Sequence, residues 1–312
     1  MAKYFNQKIN KVQPIIHLKS ISEINNFVKG VTKHPLVAVI DFSNVDELIE
    51  EDIRVSCDFY SIMFKNYCAN NLRYGRQSYD FQDGSLICIG PRQVLTMDSE
   101  IEKKEDMMGW GLFFHPDLVR GTSLGAKMKE YTFFSYESSE ALHLSDKEKT
   151  TLFDCIQKIQ NELEENIDNY SQSLIVSNIE VLLNYCTRYY GRQFITRKTS
   201  NRDIVSQVER ILQDYFNSDA IKEQGLPTVS YLAEKINLSP NYLSDLLKKE
   251  TGMNAKDQIH YFLVEEAKNI LLGSDKSISE IAYQLGFEYP QYFSKLFKQK
   301  TGNTPQEYRN YN

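Results

Sequence analysis

Gln291, Ser294, Lys295 and Lys298 recur at i, i+3, i+4 and i+7, so on a helix they share one face. Amide, hydroxyl and ammonium groups in such a row donate hydrogen bonds to acceptors and anions; their chemistry is recognition, not bond making. The residues that could make or break bonds are poorly arranged for it. A metal-dependent barrel enzyme needs converging histidines and a carboxylate, usually with an H-x-H spacing. The expected barrel region offers His17, His34 and His115, and no H-x-H. His115 precedes Pro116 and is expected to cap the last strand. Cys57, Cys68, Cys88, Cys155 and Cys186 form no C-x-x-C pair, so reduced, mostly buried thiols are expected rather than a zinc site. No nucleophile elbow or phosphate-binding glycine loop occurs. An enzyme is disfavoured, and neither a cofactor nor a metal is expected.

The segment that carries the polar row occurs twice. "ISEIAYQLGFEYPQYFSKLFKQKTG" (278–302) follows "VSYLAEKINLSPNYLSDLLKKETG" (229–252). Leu232, Ala233, Ile236 and Leu238 match Ile281, Ala282, Leu285 and Phe287 at an offset of 49. Pro240, Tyr242, Leu243, Leu246, Leu247 and Gly252 match Pro290, Tyr292, Phe293, Leu296, Phe297 and Gly302 at an offset of 50. One added residue therefore lies between two helices, in a turn, where insertions are tolerated. Ser277 and Glu280 form a capping box, Gly286 suits a positive-φ helix exit, and Pro290 suits a first helical turn. Each copy, about 228–252 and 277–302, thus reads as helix, turn, helix.

Two readings of one such copy stand side by side: an ordinary packing unit with a solvated lysine face, or a helix-turn-helix whose second helix enters the major groove of DNA. Between the copies, Ile259, Phe262, Leu263, Ala267, Ile270 and Leu271 recur at helical spacing. A spacer of about 25 Å could set the two second helices about one DNA turn apart. Residues 291–302 carry three lysines and no acid, whereas Lys248 and Lys249 are offset by Asp245 and Glu250. This local charge matters because the chain as a whole, at −6, is no polycation.

The rest of the chain supplies the surroundings. At 312 residues, two or three domains are expected. Short runs rich in Val, Ile, Phe and Tyr at 35–42, 57–65, 84–90, 92–97 and 109–115 predict strands of a small barrel or sandwich. Ser145 and Glu148 form a second capping box, followed by Leu152, Ile156, Ile159, Leu163 and Ile167 at helical spacing. A further helix carries Leu174, Ile175, Ile179, Leu182, Leu183 and Cys186. This helical hairpin either covers the strands or pairs with a second copy of the chain. Residues 191–203, polar and with four Arg or Lys, predict a linker. A boundary follows near 198. The polar N-terminus lacks the apolar core of a secretory signal, and no run of 18 apolar residues predicts a membrane span, so a cytoplasmic protein is expected.

Residues 204–310 resemble the DNA-binding domain of the AraC/XylS family of bacterial transcription regulators. The resemblance is carried by Ala282, Gly286, Phe287, Tyr292, Phe293, Phe297, Lys298, Gly302, Pro305 and Tyr308. It implies an α+β chain of two domains: a sensory and dimerising domain over 1–197, with a cupin-like β-barrel to about 115 and helices at about 146–190, and an all-α domain over 198–312 with two helix-turn-helix motifs joined by a long helix. Base-reading positions implied by the resemblance fall on Asn241, Ser244 and Asp245, and on Pro290, Gln291, Ser294 and Lys295; phosphate contacts fall on Lys248 and Lys298. Asp245 stands where relatives are often basic, and Pro290 brings no side-chain donor. The implied partners are double-stranded promoter DNA, RNA polymerase, a small-molecule effector and a second copy of the chain, with activation as the implied outcome. A protein-binding adaptor built on the same helices remains the rival reading, which salt-sensitive DNA binding would exclude.

Overall fold

The computed structural model describes residues 15–45, 53–65, 84–97, 108–137, 140–166, 168–196, 198–218 and 220–311. Its contacts fall into two units, Met1–Tyr189 and Tyr190–Asn312.

In the first unit the five apolar runs become β2 (Val37–Asp41), β4 (Tyr60–Lys65), β5 (Ser85–Ile89), β6 (Val94–Met97) and β7 (Gly109–Phe114), and three strands not expected from the sequence join them, β1 (Ile15–Leu18), β3 (Ile53–Cys57) and β8 (Leu142–His143). They form two sheets, ordered β1-β3-β6 and β2-β7-β4-β5-β8. Strand β1 pairs parallel with β3, and the other pairings are antiparallel. Because side chains alternate along a strand, β4 sends Ile62 and Phe64 to one face and Ser61 and Met63 to the other. All four are buried, so the larger sheet is covered on both sides. Met63 and Phe113 share a core with Leu18, Val55 and Phe59. Expectation and structure differ on closure. Among the described residues no strand joins the two sheets, and they form no closed barrel.

The α-helices along this part of the chain are α1 (Ile21–Phe27), α2 (Pro116–Val119), α3 (Ser123–Lys127), α4 (Asp146–Glu164) and α5 (Ser171–Thr196). The capping box forms at the head of α4, where Glu148 accepts from the Ser145 N–H at 2.9 Å. Leu152, Ile156 and Ile159 of α4 and Ile175, Ile179, Leu182, Leu183 and Cys186 of α5 are buried. Leu174 is instead exposed, and Ile167 and Cys68 lie outside the described residues. His115 directly follows β7, its N–H donating to Leu36 O at 2.8 Å, and its Nδ1 accepts from the Asp117 N–H at 3.2 Å and caps α2. Cys57, Cys88, Cys155 and Cys186 are free thiols. Burial and the neighbouring Asp58 push Cys57 up to about 12.

The expected linker is helix. Residues 191–196 finish α5, and 198–203 begin α6 (Lys198–Phe216). Arg, Lys, Gln and Thr are all compatible with a helix, and here its order comes from tertiary cover. Phe194 is buried, with its ring 5.0 Å from that of Tyr242. Asn201 is buried too, its Nδ2 donating to Phe194 O at 2.6 Å. Such anchors are too few and too far apart to give a readable period. Beyond them, Ile204, Val208, Leu212 and Tyr215 form the buried stripe of α6.

The remainder of the second unit is all helix: α7 (Ala220–Gln224), α8 (Val229–Ile236), α9 (Pro240–Thr251), α10 (Ala255–Gly273), α11 (Ile278–Gln284), α12 (Pro290–Thr301) and α13 (Pro305–Tyr311). Leu263, Val264, Ala267 and Leu271 of α10 meet Ile281, Ala282, Leu285, Phe293 and Phe297 in one core. Among the described residues no helix is long and apolar enough to cross a membrane.

Candidate nucleic-acid interface

Helices α8 and α9 make the first motif, α11 and α12 the second. Each opening helix is capped by a hydroxyl, through Thr228 to the Tyr231 N–H at 3.0 Å and through Ser277 to the Glu280 N–H at 3.2 Å. Glu280 in turn accepts from the Ser277 N–H at 2.7 Å, a bond that holds its carboxyl below the usual carboxylate range. The turns solve the same backbone problem with different residues. Asn237 adopts φ 58° in the first and Gly286 adopts φ 79° in the second. These positions are 49 apart, so the added residue enters after the left-handed position and before the proline.

The second helices end alike. Thr251 Oγ1 donates to Leu247 O and Thr301 Oγ1 donates to Phe297 O, both at 2.8 Å, and Gly252 and Gly302 follow in left-handed conformation. They start differently. Ser239 Oγ accepts from the Tyr242 N–H at 3.2 Å at the head of α9, whereas Tyr289 gives α12 no side-chain cap.

Burial sorts the side chains by face. On α9, Tyr242, Leu243, Leu246 and Leu247 are buried; Asn241 and Lys248 are exposed, and Ser244 and Asp245 are half-buried. On α12, Phe293 and Phe297 are buried; Gln291, Lys295 and Lys298 are exposed, and Pro290 and Ser294 are half-buried. All nine residues expected to touch DNA therefore lie at least partly open, along one side of each second helix.

The lysine count of the second motif needs correction. Lys300 is not uncompensated: its Nζ donates to Asp257 Oδ1 on α10 at 2.8 Å. This bond, with the Lys300 charge, holds the Asp257 carboxyl below its ordinary value. Two lysines, Lys295 and Lys298, remain on the open side. In the first motif Glu250 is likewise engaged, accepting from Asn201 Nδ2 at 3.0 Å. Sequence reading missed Asn201 and Asp257 as supports because each acts through a partner about fifty residues away or nearly so. Arg309 was also missed: it donates from Nε to Leu271 O at 3.2 Å and from Nη2 to Lys276 O at 2.6 Å, joining α13 to the end of α10.

Among the described residues no group of three or more His, Cys, Asp or Glu is arranged to hold a metal. His17 lies 3.3 Å from Asp58, and His34 accepts from the Leu36 N–H at 3.1 Å, so His17, His34 and His115 each have a structural partner.

Comparison with known proteins bears on this arrangement. Residues 232–311 match the family model of a helix-turn-helix domain. The chain is similar to the HTH-type transcriptional regulator YijO of Escherichia coli, 29% identical over 128 residues, 41% of this chain and 42% of the relative. It is similar to the HTH-type transcriptional activator RhaS of Citrobacter koseri, 26% identical over 146 residues, 46% of this chain and 50% of the relative. Among solved structures it is similar to the C-terminal domain of the two-component response regulator yesN of Fusobacterium nucleatum, 33% identical, covering 34% of this chain and 98% of that one, with a TM-score of 0.31. The match spans half or less of these two curated relatives. On its C-terminal helix-turn-helix domain, the chain belongs to the AraC/XylS family of transcription regulators.

Proposed function

We propose that the protein is a sequence-specific DNA-binding transcription regulator, working in the cytoplasm as a homodimer, with 198–312 as its DNA-binding domain and 1–197 as its sensory and dimerising domain. The observation that carries this is the pairing of two motifs with open polar faces across α10. At 1.5 Å per residue its 19 residues span about 28 Å, which with the flanking helices suits entry into successive major grooves. In this reading Asn241, Ser244 and Asp245, and Pro290, Gln291, Ser294 and Lys295, face base edges, while Lys248 and Lys298 face phosphates. Amide and hydroxyl groups match the donor and acceptor pattern of the major groove, and Asp245 is suited to accept from a cytosine amino group.

Activation through RNA polymerase is the outcome most consistent with a relative named as an activator. A small-molecule effector would act by binding two arrangements of the chain with different affinity. The front domain would belong to the cupin-like class without metal chemistry, so no enzyme activity is assigned. For the homodimer, the support is exposed apolar side chains: Leu174 and Val181, seven residues apart on α5, are 49% and 45% exposed, and Phe153 on α4 is 49% exposed.

The decisive experiment selects duplexes bound by the full chain from a random pool and titrates the enriched sequence against salt. Specific binding that weakens steeply with salt is expected. Failure to enrich any sequence would sink the proposal and favour the adaptor reading. Sedimentation of Leu174→Glu/Val181→Glu against the unaltered chain tests the hairpin, a monomer being expected for the variant.

A further inference from the structure

Tyr242 and Tyr292 occupy the same position of the two repeats, the third residue of each second helix, yet their surroundings are opposite. Tyr242 is fully buried, with Phe194 at 5.0 Å. Tyr292 is 61% exposed. Tyr289, 47% exposed, stands against it edge to face at 5.8 Å. A single exposed aromatic is unremarkable, but a paired one has a fixed shape, and its partner position in the repeat needs cover.

Three and seven residues on from Tyr292 stand Lys295 and Gln299, both exposed. Tyr292 therefore lies on the edge of the face assigned above to DNA, in a helix with no acid from 291 to 302. Glu288, exposed just ahead of Tyr289, would repel a phosphate at this end. A ring beside a major-groove face, with phosphate disfavoured, suits the one apolar group the groove presents, the C5-methyl of thymine.

We propose that Tyr292, braced by Tyr289, is a specificity-determining residue that packs on a thymine methyl in the segment read by the second motif. The proposal rests on the DNA-binding reading above. It adds to the hydrogen-bonding positions a contact that has no counterpart in the first motif, where Phe194 occupies the equivalent edge.

The test uses the full chain and the duplex it selects from a random pool. Each thymine is replaced singly by deoxyuridine, which removes only the methyl. For at least one thymine, binding by the unaltered chain should fall about four-fold, the value of one buried methyl-sized group. Tyr292→Phe should keep that response, and Tyr292→Ala should bind the thymine and uracil duplexes alike. The exposed position makes both substitutions compatible with folding, which thermal melting checks. The assignment is overturned if no thymine is sensitive or if Tyr292→Ala retains the sensitivity. It is equally overturned if Tyr292→Ala binds DNA normally and loses only transcription with purified polymerase, which would give the ring a protein partner. A chain that selects no sequence at all defeats the DNA reading itself, a result distinct from these.

Discussion

Glu250 and Lys300 stand at equivalent positions of the two recognition helices, fifty residues apart, and each is held by a polar side chain of the long helix preceding its motif. Asn201 of α6 donates to Glu250 at 3.0 Å, and Asp257 of α10 accepts from Lys300 at 2.8 Å. The charge is inverted while the placement is kept. Nine residues separate Asn241 from Glu250 and Gln291 from Lys300, which turns the second residue to the opposite side of the helix. The braces thus sit behind the faces assigned to DNA. The repeated unit is larger than helix-turn-helix: it includes a preceding long helix that steadies the back of each second helix.

Asn201 should be the more costly brace to lose. It is 2% exposed, and its amide serves both Phe194 O and Glu250. Asn201→Ala leaves those acceptors short of a buried donor, at about 1–3 kcal/mol. Glu250→Gln keeps a carbonyl acceptor and should lose less. Denaturant titration of the full chain, with hydrogen exchange of the α9 amides, distinguishes them. Equal stability of the Asn201→Ala chain and its parent would remove the brace.

The two left-handed turn positions should differ in tolerance. A Cβ at Gly286 would lie 2.7 Å from Ile221 O and 2.9 Å from Gly225 Cα, both backbone atoms. Asn237 adopts nearly the same conformation in the first motif as a non-glycine residue and is exposed. Gly286→Asn should therefore destabilise by about 1–3 kcal/mol or more, although asparagine serves the sister turn. Asn237→Gly should change stability by only a few tenths, since both residues accept this conformation. A melting comparison of the two chains decides; similar small shifts would mean that α7 yields to the added side chain.

What was legible in the sequence was what repeats over short distances. Capping at Ser277 and Glu280, the left-handed exit at Gly286 and the stop at Gly302 each need only neighbours, and each formed. Strands β2, β4, β5, β6 and β7 are readable from composition; the short β1, β3 and β8 are not, and the assembly into two sheets depends on pairings such as Ile16 with Val55, which no local pattern encodes. Helix α1 spans only seven residues, too short for a period to declare itself. The polar stretch at 191–203 was misread because Phe194 and Asn201 gain their order from Tyr242 and Glu250. Lys300 was counted as free charge because its acid lies 43 residues away.

His260 gives the second unit a pH dependence. Burial is the main cause that lowers its value below 6.5, with Lys300 and Lys256 adding to it and Asp257 opposing. In the unfolded chain the group regains its ordinary value, so between the two values the unfolded state binds more protons. Stability must then fall as pH drops through the ordinary value toward the lowered one. His260→Gln should remove that part of the slope. Denaturation midpoints of both chains between roughly pH 7.5 and 5.5 measure it. Parallel curves would show that His260 titrates alike in both states.

Lys298 and Lys300, two residues apart, should behave oppositely in DNA binding. Lys298 is exposed and lies close to the line of Gln291 and Lys295, since seven residues are nearly two turns. Lys300 points away from that line and is paired with Asp257. If Lys298 neutralises one phosphate, Lys298→Ala should flatten the plot of log affinity against log salt by about 0.9 and weaken all sequences alike. Lys295→Ala should instead cost about 1–3 kcal/mol on the selected duplex and relax its sequence preference. Lys300→Ala should leave the salt slope unchanged and lower stability by less than about 1 kcal/mol, the range of a partly exposed ion pair. Should Lys300→Ala flatten the slope as much as Lys298→Ala, the ion pair does not hold Lys300 away from the duplex, and the open face of α12 extends around its back.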